Sequence, residues 1–186
     1  MSEKGVKIRL HRVQVLGLHW PRRAKMLIRD LTQEAVENNR CFTSFSVPGT
    51  PLSLNHQYGH KPAFRKTKKG KLMMTMTKYL KEEVGDFRGL VQASLLRAKV
   101  EWKPKGVTAV VIIFESPAWV TQEHRVRKVD VDNKVKPTFD AISKGSGVDD
   151  SMHWESYTYK VLSMSERTIC YLFDLGDIVE YFLEGK

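Results

Sequence analysis

Cysteine is scarce in this chain: Cys41 and Cys170 are the only two among 186 residues, and they stand far apart without CxxC spacing or a paired histidine motif. That excludes a disulfide framework and a thiolate zinc site, and leaves two buried, reduced thiols as the expectation. Long apolar runs are missing as well. The longest, Val107 to Phe114 with only Thr108 interrupting it, is far too short to span a bilayer. Residues 1–12 alternate charged with apolar side chains and hold no apolar core of a secretory signal. A soluble, intracellular (cytoplasmic) protein with no membrane partner is expected.

Acidic residues are also short in supply. Asp and Glu number 21 against 31 Lys and Arg, a formal net charge of +10 with a sequence pI near 9.6. A balance that basic points to a polyanionic partner, and with no membrane segment the polyanion is nucleic acid. The deficit is sharpest between residues 61 and 71, where six basic residues (Lys61, Arg65, Lys66, Lys68, Lys69, Lys71) occur with no acid and with Tyr58 and Phe64 nearby. A flexible basic loop of this kind wraps a phosphate backbone, each neutralised phosphate adding close to one unit of salt dependence, although a merely solvated surface has the same composition. A second basic run, Arg125, Arg127 and Lys128, leads directly into Asp130.

The length suits one domain with an elaboration. Residues 6–18 alternate loosely between apolar and basic and read as a strand. Ala24, Leu27, Ile28, Leu31 and Ala35 recur at helical spacing, so 22–38 reads as an amphipathic helix between Pro21 and Asn38-Asn39, with Arg22, Arg23, Lys25 and Arg29 outside. A strand over 42–47 runs into the Pro48-Gly49-Thr50-Pro51 turn. Helical spacing then appears over 72–84 and again over 90–100, with Met73, Met74 and Met76 as core filler. The β-branched run 107–114 reads as a central strand, and 115–124 as a connector with an exposed Trp119. A helix follows Asp132, beginning no earlier than about Lys134 or else kinked at Pro137, and ends at Gly145-Ser146-Gly147. Segments 156–162 and 168–175 read as a hairpin, and 177–183 as a short helix.

The chemistry concentrates in Asp130, Asp132, Asn133, Lys136, Asp149 and Asp150. On an extended strand residues i and i+2 share a face, so Asp130 and Asp132 would stand side by side and repel unless a cation lay between them. Carboxylate oxygens suit Mg²⁺ or Mn²⁺, and Mg²⁺ usually takes one or two protein carboxylates and completes its shell with water and phosphate. The competing reading is that Asp-x-Asp-Asn caps a helix, which these residues commonly do. A calcium loop of the EF-hand kind is excluded, because its sixth and twelfth positions require Gly and Glu and here hold Val135 and Ala141.

Taken together, Asp130-Val131-Asp132-Asn133, Lys136, Phe139-Asp140-Ala141-Ile142 and Gly147-Val148-Asp149-Asp150 resemble the RusA-like Holliday junction resolvases, small homodimeric endonucleases that use a divalent metal. The likeness extends back through the 107–114 strand, the basic run and Pro51-Leu52-Ser53-Leu54-Asn55, covering about residues 42–175. It implies a mixed α/β domain over 42–186, a sheet flanked by helices, with 1–41 as an N-terminal extension of strand plus helix. It implies Asp130, Asp132 and Asp150 as metal-binding acids, Lys136 as the catalytic lysine, and Asp149 as assisting or adjoining the site. DNA contact would fall to Lys61, Arg65, Lys66, Lys68, Lys69, Lys71, Arg125, Arg127, Lys128 and Asn133. The implied activity is Mg²⁺-dependent (or Mn²⁺-dependent) cutting of four-way junctions in recombination and repair, leaving a 5′-phosphate and a 3′-hydroxyl, with no nucleotide cofactor. The source would be nucleoid-associated or phage-encoded. A nuclease for other branched or flapped DNA, and a junction-binding architectural protein, are the alternatives. Three departures stand out: residues 1–41 have no counterpart, Pro137 replaces an ordinary helix former, and the loop before Val148 is about one residue shorter.

Overall fold

The structure, a computed structural model, describes residues 20–98 and 102–184. Its elements are α1 (Arg22–Glu37), β1 (Phe42–Pro48), β2 (Tyr58–Lys66), β3 (Leu72–Leu80), α2 (Glu82–Arg97), β4 (Thr108–Ser116), α3 (Asp132–Ser146), β5 (His153–Leu162), β6 (Arg167–Asp174) and α4 (Ile178–Glu184). The expected strand at 6–18 lies outside the described residues. No described helix is long and apolar enough to cross a membrane.

Four strands form one mixed sheet in the order β1-β6-β4-β5, with β4 and β5 parallel and the other pairs antiparallel. This is the mixed α/β architecture expected, with β4 central. All nine residues of β4 are buried, and its side chains alternate between two separate cores. Val110, Ile112 and Phe114 meet Phe87, Val91 and Leu95 of α2 and Ala141 and Ile142 of α3. On the other face Ala109, Val111 and Ile113 share a core with Ile28, Leu31 and Ala35 of α1. A strand covered by helices on both faces has no polar side to present, which is why its sequence runs β-branched and apolar rather than alternating. The helix stripe of α1 falls where its spacing puts it, with Ala24, Ile28, Leu31 and Ala35 buried and Arg22, Arg23 and Arg29 exposed.

Several expectations are corrected. Segments β5 and β6 are not a hairpin: β4 lies between them, pairing Ile112 with Thr158 on one side and Cys170 on the other. Sequence adjacency and a short turn favour a hairpin, but apolar β4 gains burial only by taking the place between them. Residues 72–80 form a strand, not the start of a helix, and pair with 58–66 in a two-stranded ribbon joined by a turn at 67–71. The basic stretch 61–71 is therefore largely strand, with Pro62 tolerated because both strands of a two-stranded ribbon are edges. Leu72, Met76 and Leu80 fit a period of two as well as a helical one, and cross-strand pairing decides between them. Met73, Met74 and Met76 are not core filler, for the ribbon packs on little else and Met74 is 65% exposed. Helix α2 starts at Glu82, eight residues before the expected 90.

Trp119 is buried rather than exposed, its indole Nε1 donating to the Phe114 carbonyl at 3.0 Å. Helix α3 begins at Asp132 and runs through Pro137. Proline's missing N–H costs the helix one bond to the Asn133 carbonyl, yet the helix continues past it with Pro137 buried. The left-handed Gly147 (φ 75°) ends α3 as expected. Cys170 is fully buried and Cys41 half-buried, both free, with burial pushing the Cys41 thiol up to about 11 and the Cys170 thiol higher still.

Gly106 lies where the segment entering β4 meets the segment leaving β6. A Cβ there would sit 2.0 Å from the Gly176 carbonyl oxygen, in a seam where Val107 N–H donates to that same oxygen at 3.0 Å. Because the obstacle is backbone, Gly106→Ala is expected to cost about 1–3 kcal/mol, read as a lower urea midpoint at unchanged slope.

Candidate active site

The acidic motif straddles the start of α3. Asp130 and Asp132 do not share a strand face: Asp130 lies in the preceding loop and Asp132 opens the helix. The Asp130 carboxylate accepts from the Asp132 backbone N–H at 3.1 Å and from the Asn133 side-chain amide at 2.7 Å. A free N–H at a helix start attracts a carboxylate more strongly than strand geometry constrains it, and so Asp130 takes the capping role.

Asp132, Lys136 and Asp140 follow at steps of four residues and therefore line one face of α3. Opposite that face the chain returns through Gly147 into a short 3-10 turn, Asp150–Met152, before β5. Asp149 caps this turn, accepting from the Ser151 N–H at 2.9 Å, and that contact with Ser151 holds its carboxyl below the usual range. Asp150 meets Lys136, whose Nζ donates to Asp150 Oδ2 at 2.9 Å and to Asp140 Oδ1 at 3.1 Å. The hydrogen bond to Asp150 first, and then the one to Asp140, raise the Lys136 ammonium above the ordinary lysine range, so it stays charged. Both Lys136 and its partners are reached by solvent, which screens these ion pairs and limits their worth to stability.

Lys136 and Asp150 are thus brought together from positions fourteen apart in sequence. Asp132, one turn before Lys136, lies on the same side, and a cleft of about 440 Å³ beside Asp150 is lined by Arg88, Asp140, Ser143 and Lys144. Among the described residues no three His, Cys, Asp or Glu side chains stand close enough together to hold a metal ion by themselves. Mg²⁺ asks for less than that, usually one or two protein carboxylates with water completing the shell. The donor chemistry of Asp132 and Asp150, hard oxygens at a solvent-reached surface with a cation already drawn to Asp150, fits such an ion.

A family model described as Endodeoxyribonuclease RusA matches residues 50–169, which include the whole acidic motif, Lys136 and the basic ribbon. The chain belongs to the RusA endodeoxyribonuclease family. No curated protein matches it. The RusA match begins after β1, so α1 and residues 1–41 lie outside it.

The expected DNA-contacting residues of this RusA chain are all accessible in varying degree. Lys61, Arg65 and Lys66 lie on β2, Lys68, Lys69 and Lys71 in the turn, and Arg125, Arg127 and Lys128 in the loop before α3, every one of them exposed. Asn133 is instead engaged with Asp130. One neighbour of the site was not singled out by the sequence: Arg88 comes from α2 and has no local signal at all. Asp140 belongs to the motif quoted above, and the i, i+4 pair that its spacing from Lys136 allows is formed. Lys134 is a third cation nearby, but its Nζ donates to Thr50 Oγ1 and the Pro51 carbonyl, both at 2.8 Å, which ties α3 to the loop after β1.

Just beyond the acids, His153 shares a hydrogen bond with Thr108 Oγ1 at 2.7 Å and packs on Phe139. Burial pulls its pKa below the usual 6.5, against the raising influence of Asp150 and Asp149. The unfolded chain therefore takes up this proton first as pH falls through about 6.5, so the contribution of neutral His153 to stability is present above that pH and declines below it until the lower folded value is reached. Wild type should lose thermal stability more steeply than His153→Gln between about pH 7 and 5, measured by calorimetry.

Proposed function

We propose that this RusA-family chain cuts four-way DNA junctions, as a homodimer making paired symmetric nicks in recombination and repair, with Mg²⁺ or Mn²⁺ as cofactor. The observation that carries the reading is the meeting of Lys136 with Asp150 on the Asp132 face of α3, inside the matched region. Asp132 and Asp150 would hold the cation, with Asp149 adjoining; Asp130, expected beside them, is instead engaged by the Asp132 N–H and the Asn133 amide. The chemistry a divalent cation supplies at such a place is acidification of a water and withdrawal of charge from the phosphoryl oxygens. Lys136, kept protonated by its acidic partners, stabilises negative charge as it builds on the phosphate. The exposed cations of the β2–β3 ribbon and of the 125–128 loop grip the phosphate backbone without reading bases. A four-way junction has two-fold symmetry, and one site per subunit of a C₂ dimer matches two like strands to two active sites.

The caps made by Asp130 and Asp149 favour one other reading, a junction-binding protein in which these acids only stabilise turns. Labelled four-way junction, linear duplex and flap DNA with Mg²⁺ or chelator separate the cases. Metal-dependent paired nicks on the junction alone, with Asp132→Asn binding but not cutting, are expected. Equal cutting of flaps identifies a broader branched-DNA nuclease, and tight binding without nicks identifies the architectural protein. The ribbon is tested by replacing Lys66, Lys68 and Lys69 together with Ala. Junction affinity should fall and its salt slope should flatten by about one unit for each phosphate no longer neutralised, while bound junction is still cut. Unchanged affinity would make the ribbon a solvated surface only.

A further inference from the structure

Lys136 is held by two carboxylates, and only one of them belongs to the proposed metal-binding acids. Its bond to Asp140 spans one turn of α3, and the other oxygen of Asp140 faces Arg88 of α2, whose guanidinium lies 3.9 Å away. Arg88 Nε is buried and makes no hydrogen bond, so this guanidinium is held into the α2–α3 seam with Asp140 as its ion-pair partner.

Helix stability does not explain the arrangement. Asp is a poor residue for a helix interior, because its short side chain competes for backbone groups. A Lys four residues before an acid is also the weaker polarity for an i, i+4 pair, opposed to the helix dipole. A positioning demand does explain it. The Lys136 ammonium sits on four flexible carbons with its side chain 55% exposed, and a single partner leaves it free to swing. A divalent cation on Asp150 competes for the carboxylate that Lys136 now shares and repels the ammonium besides. Asp140 is the remaining anchor, and Arg88 on its far oxygen keeps it from turning toward that cation.

We infer that Asp140, braced by Arg88, is the positioning residue that keeps Lys136 aimed at the reacting phosphate once Asp150 engages the cation. The inference rests on the nuclease reading above and adds to it two residues and a division of labour: Asp150 for the cation, Asp140 for the lysine.

The test is single-turnover cutting of a synthetic four-way junction by the full chain with Mg²⁺, junction affinity with Ca²⁺, and thermal unfolding. Misplacement of a catalytic group by about an ångström costs on the order of a hundredfold, so Asp140→Asn should cut about a hundredfold slower with affinity and melting temperature nearly unchanged. Asp140→Glu, which still reaches Lys136, should recover most of the rate, and Arg88→Gln should lose rate in the same direction. In a Lys136→Ala background Asp140→Asn should cost nothing further, since a residue acting only through Lys136 has no one left to act on. Lysine-selective NMR with Mg²⁺ supplies a readout apart from activity: the Lys136 side chain should be ordered in wild type and averaged in Asp140→Asn or Arg88→Gln. Full-rate cutting by Asp140→Asn while Lys136→Ala is dead overturns the inference and leaves the nuclease standing. An equal further loss in the Lys136→Ala background also overturns it, marking a structural role. Failure of the wild type to cut any branched DNA overturns both readings together.

Discussion

Strand β4 has to be covered on both faces, and that single constraint arranges the rest of the molecule. Its even-numbered side chains demand α2 and α3, its odd-numbered ones demand α1, and its two edges are taken by β5 and β6. Full burial of Ile112, Ile113 and Phe114 removes a large apolar area from water, at roughly 25 cal/mol per Å². The parallel neighbour β5 can be reached only by a crossover, and α3 is that crossover. The acids therefore fall at the two ends of one connection: Asp130 and Asp132 where the chain enters α3, Asp149 and Asp150 where it leaves for β5. A core requirement has brought the acids and Lys136 to one neighbourhood, and the packing of α2 on α3 delivers Arg88 to the same place.

Electrostatics then decides what the neighbourhood can do. Four aspartates and Asp140 lie along a surface that is elsewhere strongly basic, and each is answered differently: Asp130 by a backbone N–H and the Asn133 amide, Asp149 by a backbone N–H, Asp140 by Arg88 and Lys136, Asp150 by Lys136. Asp132 is the exposed acid whose carboxylate has no such answer among the described residues, one turn from the lysine. Exposed carboxylates with mobile partners are the ones that can exchange a lysine for a cation, whereas those fixed by backbone are spent on shape. The ribbon adds the opposite sign at a distance from the core, where exposed cations and uncovered Met74 and Phe64 serve no folding purpose visible within the monomer.

Much of this was legible residue by residue. The stripe of α1, the apolar run of β4, the glycine stop of α3 and the acidic motif each follow from local periodicity or turn chemistry. Errors came where two local periods fit equally well or where a partner distant in sequence intervened. Leu72, Met76 and Leu80 satisfy both a strand and a helix, and only the pairing with Tyr58 to Lys66 chooses. Asp130 and Asp132 look like neighbours on a strand until α3 starts at Asp132 and its free N–H captures Asp130. Trp119 looks like a loop aromatic until its indole finds the Phe114 carbonyl.

By itself, the sequence determined the mixed α/β class, the excess of positive charge, and the acidic motif with its lysine, because charge, β-branching and short motifs act within a few residues. Tertiary structure alone decided the strand order that inserts β4 between β5 and β6, the exposure of the ribbon methionines, and the pairing of Lys136 with Asp150 and of Asp140 with Arg88. Those outcomes turn on which buried surfaces meet, and competition for burial is settled by the whole chain at once.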